Sequence, residues 1–177
     1  FLSANKDQKS PGYWNGNSVP AGLAQNPVHG IAWDSAEKYC QSLGKRLPSE
    51  AEWEVAARGP NSFDFPWGNT ETIVSKPTGL AQDGTYATES NPYNRSYFGA
   101  YDMAGNVYEW VGEPYASVKE GQKIIRGGAD DPTYRLTKRQ PVAPSEPVAI
   151  KDTGIRCAAD ASRIAESKKD PTLTYED

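Results

Sequence analysis

The chain has 177 residues, 37% of them apolar, with 19 Lys and Arg against 23 Asp and Glu, a net charge of -4 and a mean hydropathy of -0.73. That length suits one domain around one core, and the dispersed, slightly acidic charge excludes the basic face a nucleic-acid-binding protein needs. No run of 18 apolar residues occurs, so no segment reads as a membrane-spanning helix.

With 5 Trp and 10 Tyr the core is expected to be aromatic, and 16 Gly with 14 Pro point to much irregular backbone. The first regular element follows Tyr13-Trp14 and Pro27-Val28. Asp34-Ser-Ala-Glu37 has the capping-box pattern, and Ala36, Tyr39, Cys40 and Leu43 recur at helical spacing until Gly44. After Leu47-Pro48 the device returns as Ser49-Glu-Ala-Glu52, with Trp53, Ala56 and Ala57 on one face and Gly59 as the stop. Beyond Gly59 only short strands are predicted, notably Val107 to Val111 and Lys123 to Arg126. From Ala161 to Asp177 the chain is polar and reads as a solvated tail, with a partner-binding arm as the alternative.

The densest chemistry lies in Asp102-Met-Ala-Gly-Asn-Val-Tyr-Glu-Trp110. Two carboxylates, Asp102 and Glu109, flank a Gly105-Asn106 kink that can turn carbonyls inward, which is how oxygen wraps a hard cation such as calcium. A surface turn with incidental acids fits the same spacing. There is 1 His, His29, which excludes a multi-histidine metal centre and leaves a serine nucleophile only one possible base; no Gly-x-Ser-x-Gly elbow is present. The 2 cysteines, Cys40 and Cys157, stand 117 positions apart, too far for a CxxC pair.

Four blocks occur in order: Gly44 to Gly59, Phe65-Pro-Trp-Gly-Asn69, Asp102 to Trp110, and Arg126-Gly-Gly128 with Gly154-Ile-Arg-Cys-Ala-Ala-Asp160. Together they resemble the formylglycine-generating enzyme (sulfatase-modifying factor) family, from about Pro11 to about Asp160. The resemblance implies an α+β fold, a variant of the C-type lectin fold with two helices, short strands and much irregular structure. It sets a domain over 1-160 and a tail over 161-177. The opening Phe1-Leu2-Ser3 resembles the end of a family helix, so an upstream segment is expected to have been removed or supplied by another chain. It also implies a disulfide between Cys40 and Cys157, and with it an oxidising compartment, periplasmic or extracellular; two free thiols are the alternative.

By the same resemblance, calcium is bound by the side chains of Asp102 and Glu109 and the carbonyls of Gly105 and Val107. A weaker second site has Asp83 and the Thr85 carbonyl, with Thr78 where Asn is usual. The family's two copper-binding cysteines fall on Pro132 and Thr137, neither of which can offer a thiolate, so no copper and no formylglycine-generating oxidation are expected. The resulting expectation is a non-catalytic, calcium-stabilised accessory or binding subunit of a bacterial envelope complex. Its partner is another polypeptide, touching exposed aromatics near Pro11 to Trp14 and the tail after Ala161. The alternatives are a cysteine-independent oxidase, like the pyoverdine-maturing family members, working in a cleft near Arg126, Asp130 and Tyr134, and a lectin-like ligand-binding domain.

Overall fold

The computed structural model describes residues 2-3, 5, 8-70, 79-114, 116-128, 136, 139-143 and 152-162. Two helices, α1 (Trp33–Ser42) and α2 (Glu50–Arg58), precede a four-stranded sheet of β1 (Gly105–Trp110), β2 (Lys123–Gly128), β3 (Gln140–Val142) and β4 (Thr153–Gly154). The strand order is β3-β2-β1-β4, antiparallel except for the parallel pair β1-β4. Loops make up most of the other described residues, so the α+β architecture rich in irregular backbone is as expected.

α2 forms as its sequence predicts. The Ser49 hydroxyl accepts from the Glu52 amide at 3.2 Å, and the Glu52 carboxylate accepts from the Ser49 amide at 2.8 Å. Two of the orphan donors at the helix start are thereby satisfied. Arg46 grips the same carboxylate at 2.6 and 2.7 Å and reaches Asp160 at 2.9 Å. That side-chain contact with Arg46 holds the Glu52 carboxyl at a pKa of about 2.

α1 departs from its prediction. It starts at Trp33 with Ala32 as N-cap, and no side chain caps it, so the box expected at Asp34 and Glu37 does not form. Burial decides the start: the Trp33 indole is drawn into the core and donates to the Val111 carbonyl at 2.8 Å, which winds Trp33 and Asp34 into the first turn. Asp34 there still favours the helix through its charge near the positive end of the dipole.

The core is in two parts. One gathers Ile31, Trp33, Ala36, Cys40, Leu47, Trp110, Ile125 and Val142; the other gathers Trp53, Ala57, Met103, Ala104, Val111, Ile124 and Leu136. Neighbouring residues of β2, Ile124 and Ile125, thus serve opposite faces, as strand alternation requires. Cys40 and Cys157 are joined by a disulfide, Cα atoms 5.5 Å apart, which ties α1 to the segment after β4. Gly154 permits the close packing of that segment: a Cβ there would stand 2.5 Å from the Val28 carbonyl oxygen.

Beneath α2 lies a buried ionic network. Arg126 is fully buried and donates to Glu50 at 3.0 Å, to Glu54 at 2.9 Å and to the Leu136 carbonyl at 2.7 Å, with its guanidinium over the Trp53 ring. Arg139 closes on Glu50 at 2.8 and 3.0 Å.

Candidate functional site

Strand β1 is irregular where the sequence places its kink. Gly105 pairs with Gly128, but the next register pair is Tyr108 with Gly127, so Asn106 and Val107 bulge out of the ladder. A bulge re-aims side chains and frees carbonyls. Asn106, at φ 64°, turns its amide onto Tyr86, accepting from its N–H at 3.0 Å and donating to its carbonyl at 3.1 Å. Gly128 faces the bulge with φ 106°, and a Cβ there would fall 2.1 Å from the Tyr108 ring, so only glycine fits.

Asp102 also sits in the left-handed region, at φ 56°, and its carboxylate accepts from the Glu89 amide at 2.8 Å. Burial pushes the Asp102 carboxyl above the ordinary range, and the Glu89 amide and nearby Arg156 only partly offset this. It is a desolvated acid short of positive charge. Glu109 is the opposite case. It is buried, with Arg156 donating to both its oxygens at 2.7 and 2.8 Å and the Trp53 indole donating at 2.6 Å. Burial draws the Arg156 guanidinium down, but the adjoining Glu109 carboxylate outweighs it and raises its pKa. Arg156 further donates to the Tyr101 carbonyl at 2.8 Å, so it braces both ends of the stretch.

The donor chemistry fits a hard cation, with a qualification as to which oxygens it would use. Among the described residues no cluster of three or more acidic, His or Cys side chains is placed to hold a metal, so a cation here relies on main-chain oxygens. Asp102 and the bulge carbonyls of Gly105 and Val107 are the part that a cation would complete, whereas Glu109 would be shared with Arg156. Arg156 had no role in the sequence reading. Its motif, Gly154-Ile-Arg-Cys, was the available signal, but the pairing crosses the fold and has no local period.

The weaker pair is also brought together. Asp83 accepts from the Thr85 amide at 3.0 Å and hydroxyl at 2.8 Å, and lies 3.3 Å from His29 Nε2. Although burial would raise it, these Thr85 bonds and His29 leave the Asp83 carboxyl below its usual value. His29 stacks on Tyr13 with centroids 4.4 Å apart, and Asn26 donates to the Thr85 hydroxyl at 2.7 Å. The lone histidine is thus a buried packing residue. Thr78 lies outside the described residues.

Two expectations about surfaces need correction. Arg126 lines no cleft, because Glu50, Glu54 and the Leu136 carbonyl enclose it completely. Pro11 is buried and Tyr13 and Trp14 are half-buried, since Tyr13 is spent on His29. Among the described residues the exposed aromatics lie instead at Tyr93, Tyr97 and Phe98, with Phe98 stacked edge-on against Tyr97 and lining a shallow cavity with Val55 of α2. Pro132, Thr137, Asp130, Tyr134 and the tail from 163 fall outside the described residues.

Comparison with known proteins follows the same lines. The chain matches the family model described as the sulfatase-modifying factor enzyme 1-like domain over residues 4–161. It is 35% identical over 158 residues to the inactive C-alpha-formylglycine-generating enzyme 2 of Bos taurus, covering 77% of this chain and 51% of that protein. It is 38% identical over 165 residues to the serine/threonine-protein kinase Pkn1 of Chlamydia trachomatis, covering 80% of this chain and 25% of the kinase. Among solved structures, PvdO from Pseudomonas aeruginosa superposes with a TM-score of 0.60 at 27% identity, over 84% of this chain and 65% of that one. The chain spans about half the length of the inactive enzyme and a quarter of the kinase.

Proposed function

The chain belongs to the sulfatase-modifying factor (formylglycine-generating enzyme) family, and from that premise we propose that it is a non-catalytic, calcium-stabilised accessory or binding subunit of a bacterial envelope complex. The observation that carries this reading is that its 2 cysteines are joined to each other, so the chain has no thiolate to offer copper(I). A relative named as inactive, and a kinase in which the matching region is a quarter of the chain, are in keeping with a family domain used as a module.

The envelope location rests on the disulfide, which persists in oxidising compartments. The domain spans 1-160, where the Arg46–Asp160 ion pair and the Arg46↔Ala158 bridge close it against α2, and 161-177 is the tail. The apolar surface offered to the partner polypeptide is that of Val55, Tyr97 and Phe98. The weaker Asp83 and Thr85 pair is a second, lower-affinity oxygen site.

Calcium, held by Asp102, Glu109 and the carbonyls of Gly105 and Val107, supplies the positive charge that the desolvated Asp102 lacks and cross-links the 102 turn to β1. Melting with calcium and with chelator tests this. Calcium at 100 times its Kd stabilises a single-site protein by about 2.7 kcal/mol, a rise of roughly 5 to 10 °C for a chain of this size. Asp102→Asn, which tolerates the left-handed backbone, removes most of that rise. Glu109→Ala is a poor probe, because it strips Arg156 and Trp53 of their acceptor whether or not calcium is present. Identical melting in calcium and chelator rules out the calcium part of the reading.

A further inference from the structure

Asn94 lies outside every motif described above, yet its side chain is pinned beneath the turn that opens the candidate cation site. It is buried, at 7% exposure. Its main-chain carbonyl accepts from the Asp102 amide at 3.0 Å, and its Nδ2 donates to the Ala104 carbonyl at 2.6 Å. Its own amide is fixed by the Asn91 carbonyl at 3.0 Å. The side-chain amide cannot be turned over, because that would press two oxygens together at the Ala104 contact. Nδ2 is therefore the donor, and Oδ1 is the atom left over.

That oxygen is closed off from solvent and has no hydrogen-bond partner among the described residues. A buried acceptor without a donor costs stability on the order of 1 to 3 kcal/mol, so its retention calls for an occupant. Nearby on the 102 to 104 turn, the Asp102 carboxylate accepts from the Glu89 amide and the Ala104 carbonyl accepts from Nδ2, so neither supplies a donor to Oδ1. Oδ1 is thus an unused acceptor beside the turn that opens the candidate site, and a hard cation takes 6 to 8 oxygens and readily includes Asn side chains. The four expected ligands leave such a shell short.

We propose that Asn94 Oδ1 is a further ligand of the cation bound at Asp102, Gly105, Val107 and Glu109, completing the shell from the loop that precedes the motif. This rests on the calcium reading, and it assigns to that site a residue that no motif marks. The loop carrying it is built to hold it: Ser96 and Ala100 bond each other reciprocally, Ser96 N to Ala100 O at 2.8 Å and Ala100 N to Ser96 Oγ at 3.2 Å.

Terbium(III), which replaces calcium at oxygen sites and is sensitised by nearby indoles, is the probe; Trp53, bonded to Glu109, provides the antenna. Affinity is read by titration of terbium and by its displacement with calcium. Asn94→Ala is expected to weaken binding about tenfold. Asn94→Asp is expected to tighten it severalfold, since it adds an anionic ligand, even though both variants lose the Nδ2 bond to Ala104 and melt lower without metal. A merely structural Asn94 would weaken binding in both. Wild-type protein that binds no terbium overturns the calcium reading itself. Wild-type binding with Asn94→Asp unchanged or weaker overturns the Asn94 assignment alone.

Discussion

Opening the Cys40–Cys157 bridge is expected to cost the domain roughly 4 to 5 kcal/mol, the chain-entropy value for a loop of this length. The bridge spans 117 positions and, starting from within α1, encloses α2 and all four strands. Cys40 is fully buried in the core cluster built on Trp33 and Trp110, with Ile155 and Cys157 packed against it. Reduction therefore frees the segment after β4, which also carries Arg156 and its hold on Glu109. Urea unfolding of the oxidised protein and of the Cys40→Ser, Cys157→Ser double variant measures the effect without leaving a stray thiol. A loss under 1 kcal/mol would mean that strand pairing alone fixes that segment.

Arg126→Met is expected to cost about 3 to 5 kcal/mol, the range for removing one partner of a buried ion pair. The guanidinium it deletes is fully buried and satisfies Glu50, Glu54 and the Leu136 carbonyl together. Methionine restores much of the volume against Trp53 but none of the donors. Glu50 keeps Arg139 and Glu54 keeps Arg58, which holds the loss within that range. Arg139→Met, at a position only four-fifths buried, is expected to cost markedly less. Equal losses in urea unfolding would show that the network shares its energy evenly and that Arg126 is not its centre.

These two sites also show what the sequence made legible. The α2 helix could be read because its signals are local: Ser49, Glu52 and Gly59 each act within one turn of their own backbone. β1 and β2 could be read from short apolar runs. Failure at α1 came from Trp33, whose burial under Val111 outweighs a capping pattern one residue later. β3 and β4 have three and two residues, too few for any period, and β4 exists only by pairing with β1 from across the chain. The disulfide followed from the family resemblance, whereas the partners of Glu109 did not. An Asp-x-x-Gly-Asn-x-x-Glu spacing states which oxygens are near a turn, but not that a guanidinium from 47 positions away already holds one of them. Arg126 was misplaced for a related reason: a charged residue beside Gly-Gly looks exposed in sequence, and only the two acids of α2 explain its burial.

The central proposal is that this chain carries no cysteine-based oxidation chemistry, because its 2 cysteines are joined to each other. Its most direct test supplies the oxidised protein with copper(I), oxygen and a cysteine-bearing peptide, with an active family enzyme run in parallel, and follows the peptide by mass spectrometry. The expected result is unmodified cysteine after incubation that converts the control completely. Formylglycine produced above the protein-free background would contradict the account.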